Sequence, residues 1–153
     1  MERCIWSKLN KQQLGTYAEY FVKMEFTMYG FQVYGTEVDD RGIDFVTRFE
    51  ERSFLEVQVK SIRKPGYIFL QKDKTPLAQN RYLALAILEE GKEPDLYLIP
   101  LKRWKKPDNF FVSRDYEGKK SKPEWGLQLS KKNVPLIEKW RFDQRIGSLS
   151  SES

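Results

Sequence analysis

Phe54-Leu55-Glu56-Val57-Gln58-Val59-Lys60 alternates apolar and polar residues without a break, and Gly42-Ile43-Asp44-Phe45-Val46 precedes it across a short polar tip at Glu50-Glu51-Arg52-Ser53. Strict alternation is the signature of a half-buried strand, because successive side chains leave the pleat on opposite faces. Leu55, Val57 and Val59 then face a core, and Glu56, Gln58 and Lys60 line the other face at intervals of about 7 Å. The upstream run reads as a second strand, 43–49, paired with the first through a tight connection. Asp is depleted in strands, so Asp44 is the unusual residue of that run. An antiparallel pairing lets it lie beside Gln58.

Outward from this pair, Lys11 to about Tyr29 reads as a helix. Leu14, Tyr17, Ala18, Phe21, Val22, Met28 and Tyr29 recur at three- and four-residue spacing before the stop at Gly30. A strand follows at Phe31–Gly35, and Thr36 to Arg41 is a polar, acidic connection. After the turn Pro65-Gly66, strands are expected at 67–70, 82–88 and 95–99, and the continuous apolar run 82–88 suits a strand covered on both faces. Leu101 to Lys106 reads as one helical turn, 110–112 and 126–129 as short strands, and Glu117 to Glu124 as a Lys-rich loop. Ser130 is expected to cap a helix to about Trp140, interrupted by Pro135. The chain beyond Gly147 is Ser-rich, and 148–153 reads as a disordered tail. The order implies one α/β domain over 1–147 with a mixed central sheet flanked by helices, its core at about 11–100 and a basic extension at 101–147.

Composition narrows the chemistry. The 153 residues contain no His and a single Cys, Cys4. Catalytic systems built on His, His-ligated metals, Cys-ligated zinc and intrachain disulfides are therefore excluded. Carboxylates, amides, Lys, Arg, Tyr and bound metal remain. The net charge of +5 is uneven: residues 1–100 carry 14 basic and 15 acidic side chains, and residues 101–153 carry 13 and 7. A basic C-terminal third is the footprint of a polyanion-binding face or of a Lys-rich soluble surface. No segment approaches the length of a membrane span, so a cytoplasmic protein is expected.

Asp44, Gln58 and Lys60 suit metal-assisted phosphodiester cleavage. A hard cation such as Mg²⁺ takes oxygen ligands. Asp44 offers a charged oxygen and Gln58 a neutral one, while Lys60 can orient a water and offset phosphoryl charge. Taken singly, Glu56, Gln58 and Lys60 also fit a solvated strand face.

Asp44 followed by Gln58-Val59-Lys60 resembles the Asp…(Asp/Glu)-X-Lys core of the PD-(D/E)XK nuclease superfamily, in the Gln-X-Lys variant found in Mrr-like restriction nucleases and an intron-encoded homing endonuclease. Gly15-Thr16-Tyr17-Ala18-Glu19 is similar to the Gly-X-X-Ala-Glu helix of the resolvase-like and Mrr-like branches. The resemblance spans about residues 11–100. It implies a restriction-endonuclease-like fold, a Mg²⁺-dependent endodeoxyribonuclease in which Mn²⁺ substitutes, and Glu19 as a further carboxylate of the site. It also implies DNA as partner and a homodimer or tetramer. Gln58 in place of an acid removes a negative charge, so a second metal is held weakly or not at all. The same substitution suits the alternative of a catalytically weak DNA-binding accessory protein in element excision or defence. An unrelated interaction domain is a third reading.

Further DNA contacts are expected from Arg63 and Lys64, just past Lys60, from Lys102, Arg103, Lys105 and Lys106 around Trp104, and from the Lys119, Lys120, Lys122 loop with Trp125. Each basic group equally fits a solvated turn, and Trp104 fits the core. Trp140 is expected in the core.

Overall fold

A computed structural model describes residues 2–37 and 41–151. Val38, Asp39 and Asp40 of the acidic connection, and Glu152 and Ser153 of the tail, lie outside the described residues. Among the described residues there are two α-helices, α1 (Lys11–Met28) and α2 (Phe142–Ser150), and eight strands. These are β1 (Gln32–Gly35), β2 (Phe45–Arg48), β3 (Leu55–Ile62), β4 (Gly66–Gln71), β5 (Arg81–Ile87), β6 (Asp95–Pro100), β7 (Phe111–Arg114) and β8 (Glu124–Leu129).

The strands form two sheets, a five-stranded one in the order β1-β2-β3-β5-β6 and a three-stranded one in the order β4-β8-β7. The larger is mixed: β3 and β5 run parallel and every other neighbour pair is antiparallel. A parallel pair needs a crossover. Here the crossover passes through β4 and the 3-10 turn Lys72–Lys74, so the chain visits the second sheet on its way.

Periodicity explains the layers. Along β5, Ala84 and Ala86 belong to one core with Leu88, while Leu83 and Leu85 belong to another. The first core joins them to Ala18, Val22 and Phe26 of α1, to Phe142 and Ile146 of α2, and to Phe45 and Val57. The second joins β5 and β6 to Leu70 of β4, Phe111 of β7, and Leu127 and Leu129 of β8, with Trp104 and Ile137. The five-stranded sheet is thus covered by helices on one face and by the smaller sheet on the other. The expected mixed central sheet flanked by helices is present, with both α-helices on one face and the smaller sheet on the other.

Helix α1 begins where its cap dictates. The Asn10 side chain accepts from the Gln13 amide at 2.8 Å, and the Gln13 side chain accepts from the Asn10 amide at 2.9 Å. Its buried stripe includes Phe26, whereas Met28 and Tyr29 face outward. The C-terminal region differs more from expectation. Residues 134–140 form a 3-10 helix with Pro135 in its first turn, not a helix beginning after Ser130. A proline there removes an N–H that has no helical partner anyway. Helix α2 then runs past Gly147 to Ser150, held by Phe142 and Ile146 in the first core, so 148–150 are helical and not a disordered tail.

Within the small sheet, the Tyr67 hydroxyl donates to Glu124, a carboxylate on a residue only 7 % exposed. Burial, and then the bond to Glu124, push the Tyr67 hydroxyl well above its ordinary pKa, so it remains a donor at neutral pH. Gly126 makes room for this ring: a Cβ there would lie 2.0 Å from the Tyr67 hydroxyl oxygen. Gly126→Ala is expected to expel the ring, leave Glu124 without its donor and cost about 1–3 kcal/mol in urea unfolding, with Tyr67→Phe showing a comparable loss. Wild-type stability in both variants would show that the small sheet does not depend on this pair.

Candidate active site

The pleat of β3 sorts its side chains as its sequence requires. Leu55, Val57 and Val59 pack on the α1 side. Gln58 and Lys60 line a cleft on the other side, together with Gly42 and, from across the gap, Phe69, Leu70, Gln71, Lys74 and Thr75. The smaller sheet packs on β5 and β6, and its strand β4 forms the far wall, so the polar residues of β3 face a cleft between the two sheets.

Asp44 sits one residue before β2. Phe45 pairs with Val57, so the next step along the ladder sets Asp44 opposite Gln58. Two hydrogen bonds bracket that position: the Asp44 amide donates to the Val57 carbonyl at 2.9 Å, and Asp44 Oδ2 accepts from the Val59 amide at 2.7 Å. Gly42 adopts φ +70° and passes directly under the Gln58 amide; a Cβ there would meet Oε1 at 3.3 Å. Glycine is thus demanded twice, by the backbone conformation and by the contact. Gln58 Oε1 is buried and has no hydrogen-bond partner among the described residues. Lys60 has no ion pair among them either.

Glu56, the third polar residue of the strand, points to the same side but serves another purpose. It lies 3.5 Å from Arg81, which is 3 % exposed. Arg81 also donates to the Arg41 carbonyl at 2.9 Å and the Lys74 carbonyl at 3.2 Å. One buried guanidinium therefore ties together the segment leading into Asp44 and the turn on the opposite wall of the cleft. Burial pulls its pKa down and Glu56 counters that pull. Sequence reading passed over Arg81, whose signal is a charged residue at the head of an otherwise apolar strand.

The remaining expected residues are dispersed. Glu19 of α1 pairs with Lys23 at 3.1 Å, and the Lys23 ammonium lies 5.8 Å from the ring of Phe45, the neighbour of Asp44. No group of three or more carboxylate, thiol or imidazole side chains suited to a metal occurs among the described residues. Arg63 and Lys64 border a different hollow, with Ile62, Pro65 and Val134, and Arg63 lies 3.9 Å from Glu90.

Arg103 is occupied by Asp108 and by the ring of Phe111 at 4.3 Å, while Lys102, Lys105 and Lys106 are exposed. Trp104 is a core residue, 1 % exposed, its indole N–H donating to the Gly126 carbonyl at 2.8 Å. Trp140 packs against the same core. Lys119 and Lys120 are exposed on the β7–β8 connection. Lys122 lies 3.5 Å from Asp73, and the Lys72 amide donates to the Pro123 carbonyl at 3.0 Å. This connection is therefore fastened to the cleft wall.

Two solved structures share the architecture. Hjc from Archaeoglobus fulgidus, a Holliday junction resolvase, superposes with a TM-score of 0.56 at 18 % identity over 87 % of this chain and 95 % of its own. The bacterial homing endonuclease I-Ssp6803I gives 0.54 at 18 % identity, over 90 % of each chain. Both are PD-(D/E)XK-like nucleases, and the likeness establishes a restriction-endonuclease-like fold for this chain. No family model and no curated protein matches its sequence.

Arg81→Met keeps an apolar stem of similar girth and removes the guanidinium that makes the ties. The variant is expected to lose about 1.5–3 kcal/mol and to exchange amide hydrogens faster at 41–44 and 72–75 than wild type, with β5 and β6 still protected. Unchanged exchange in both segments would show that something else holds the cleft walls.

Proposed function

We propose that this protein is a metal-dependent DNA endonuclease that hydrolyses phosphodiester bonds, of the homing, restriction or mobile-element kind. The observation that carries this reading is the Gln58 carbonyl oxygen, buried beside Gly42 without a hydrogen-bond partner among the described residues, with the Asp44 carboxylate opposite it and Lys60 next along the strand. A buried carbonyl without a donor costs about 1–3 kcal/mol. A hard cation answers it and the carboxylate together, so the donor set fits Mg²⁺ or Mn²⁺. Fold likeness to a resolvase and a homing endonuclease supports DNA as the substrate.

Asp44 and Gln58 would hold the cation; Glu19, which the resemblance adds as a further carboxylate, stands on the α1 side paired with Lys23 and would have to leave that pair to join them. When bound, such a cation polarises the phosphate and makes its water more acidic. The chain's own groups do the rest. The bond from the Val59 amide orients the Asp44 carboxylate, so that its position follows the strand and not a flexible rotamer. Lys60 Nζ donates to the attacking water and steadies the negative charge that builds on the phosphoryl oxygens. Exposed Lys119 and Lys120, with Lys102, Lys105 and Lys106, supply backbone contacts that hold the duplex and make binding salt-sensitive. The compact domain with its own basic extension favours a homing, restriction or mobile-element enzyme over a repair resolvase. One such site cuts one strand, so duplex cleavage calls for two copies, as a dimer or tetramer.

Plasmid DNA with Mg²⁺ or Mn²⁺ tests the reading. Wild type is expected to nick or linearise it, whereas Asp44→Ala and Lys60→Ala lose at least about a hundredfold in rate while still binding DNA. Gln58→Glu is expected to tighten Mg²⁺ about tenfold by adding a charged ligand. Salt-sensitive binding without cleavage by wild type would move the protein to a DNA-binding accessory role. Absence of binding at low salt would remove both.

A further inference from the structure

The cleft holds more unsatisfied oxygen than a cation site on Asp44 and Gln58 explains. Besides Gln58 Oε1, two further buried side-chain oxygens that line it have no partner among the described residues: Gln71 Oε1 and Thr75 Oγ1. Thr75 is 1 % exposed. Both stand on the wall opposite β3, at the end of β4 and just after the Lys72–Lys74 turn. Buried polar groups in folded proteins are almost always paired, and those left over ask for a ligand.

This wall is built, not incidental. The Thr75 carbonyl accepts from the Trp125 indole at 3.2 Å, and the Thr75 amide donates to the Lys72 carbonyl at 3.2 Å. The Lys74 carbonyl accepts from buried Arg81. Lys72 lies 2.7 Å from Asp115 and 4.1 Å from the centre of the Trp125 ring, and Asp73 lies 3.5 Å from Lys122. The Lys72 and Asp73 side chains and several backbone groups of the turn are thus engaged. The Lys74 ammonium and the Thr75 hydroxyl are what the turn leaves over.

The sign of the missing ligand follows from charge. Lys60 and Lys74 both line the cleft, and the wall formed by Gln71, Lys74 and Thr75 carries no carboxylate among its described lining residues; Asp44 stands with Gln58 on the β3 side. Neither lysine has an ion pair among the described residues. A hydroxyl can donate, and an amide turns its NH₂ toward an acceptor by a half-rotation of its last torsion. Two ammonium groups, a hydroxyl and an amide around one opening select an anion with several acceptor oxygens.

We propose that Gln71, Lys74 and Thr75, facing Lys60 across the cleft, bind a backbone phosphate of the DNA strand being cut. The inference rests on the nuclease reading above and adds a second wall to its site: β3 carries the cation and the water-handling lysine, and the β4 turn carries the substrate. Thr75 and Gln71 fix the phosphate by hydrogen bonds, and Lys74 contributes charge.

The test uses the full-length protein, a short DNA duplex and Ca²⁺ in place of Mg²⁺ so that binding is read without cleavage. Thr75→Val and Gln71→Met are each expected to weaken binding about tenfold or more. Their thermal stability should equal or exceed that of wild type, because an unpartnered buried oxygen has been removed. Lys74→Gln is expected to flatten the slope of log K against log salt by about one unit. Wild-type affinity in Thr75→Val and Gln71→Met would overturn the proposal while leaving the nuclease reading intact. So would a loss of stability in either variant without loss of binding, since that marks a structural role. Wild type that neither binds nor cuts DNA would remove the nuclease reading and this inference with it.

Discussion

One strand, pleated so that three hydrocarbon side chains go one way and three polar ones the other, is the constraint on which this molecule is organised. The apolar side of β3 helps anchor α1 to the sheet through Val57 and its neighbours. On the polar side Gln58 Oε1 is buried without a hydrogen-bond partner among the described residues, and Lys60 has no ion pair among them. The smaller sheet packs on β5 and β6, and β4 faces Gln58 and Lys60 across the cleft. The cleft is the space left between the polar side of β3 and the end of β4.

Register then converts the strand into a site. Antiparallel pairing of β2 with β3 brings Asp44 opposite Gln58, and the bond from the Val59 amide to Asp44 Oδ2 ties the carboxylate to that register. A one-residue slip would turn the whole polar set toward the core. The same hydrophobic packing that stabilises the fold therefore specifies which side chains meet in the cleft. Arg81 extends the principle to the loops, joining Glu56 of β3 to carbonyls on both walls.

Much of this was legible in the sequence because it is local. Alternation in 54–60 and the double-sided apolar run in β5 each depend on a few neighbouring residues, and both appear where expected. Asp44 stood out as an acid in an apolar strand. The small sheet was not legible as a sheet. Its strands were visible, but β4 pairs with β8 far away in sequence (Tyr67 with Gln128), and no local pattern announces such a partner. Gln71, Lys74 and Thr75 were missed for the same reason: in sequence they are ordinary turn residues, and only the distant anchors Trp125 and Arg81 make them a wall. Trp104, open to either reading in the sequence, proves to be core because Gly126 leaves its carbonyl to the indole. The C-terminal helix was misjudged because Gly and Ser obscured two apolar anchors, Phe142 and Ile146, four residues apart.

Titration of the ¹⁵N-labelled protein with substoichiometric Mn²⁺ would test the shared cation most directly, since the paramagnetic ion broadens signals from nuclei close to it. The Gln58 side-chain amide and the Val59 backbone amide should broaden first, and Asp44→Asn should abolish the effect at the same Mn²⁺ concentration. Sharp Gln58 and Val59 signals while residues elsewhere broaden, or broadening that survives Asp44→Asn, would contradict the account.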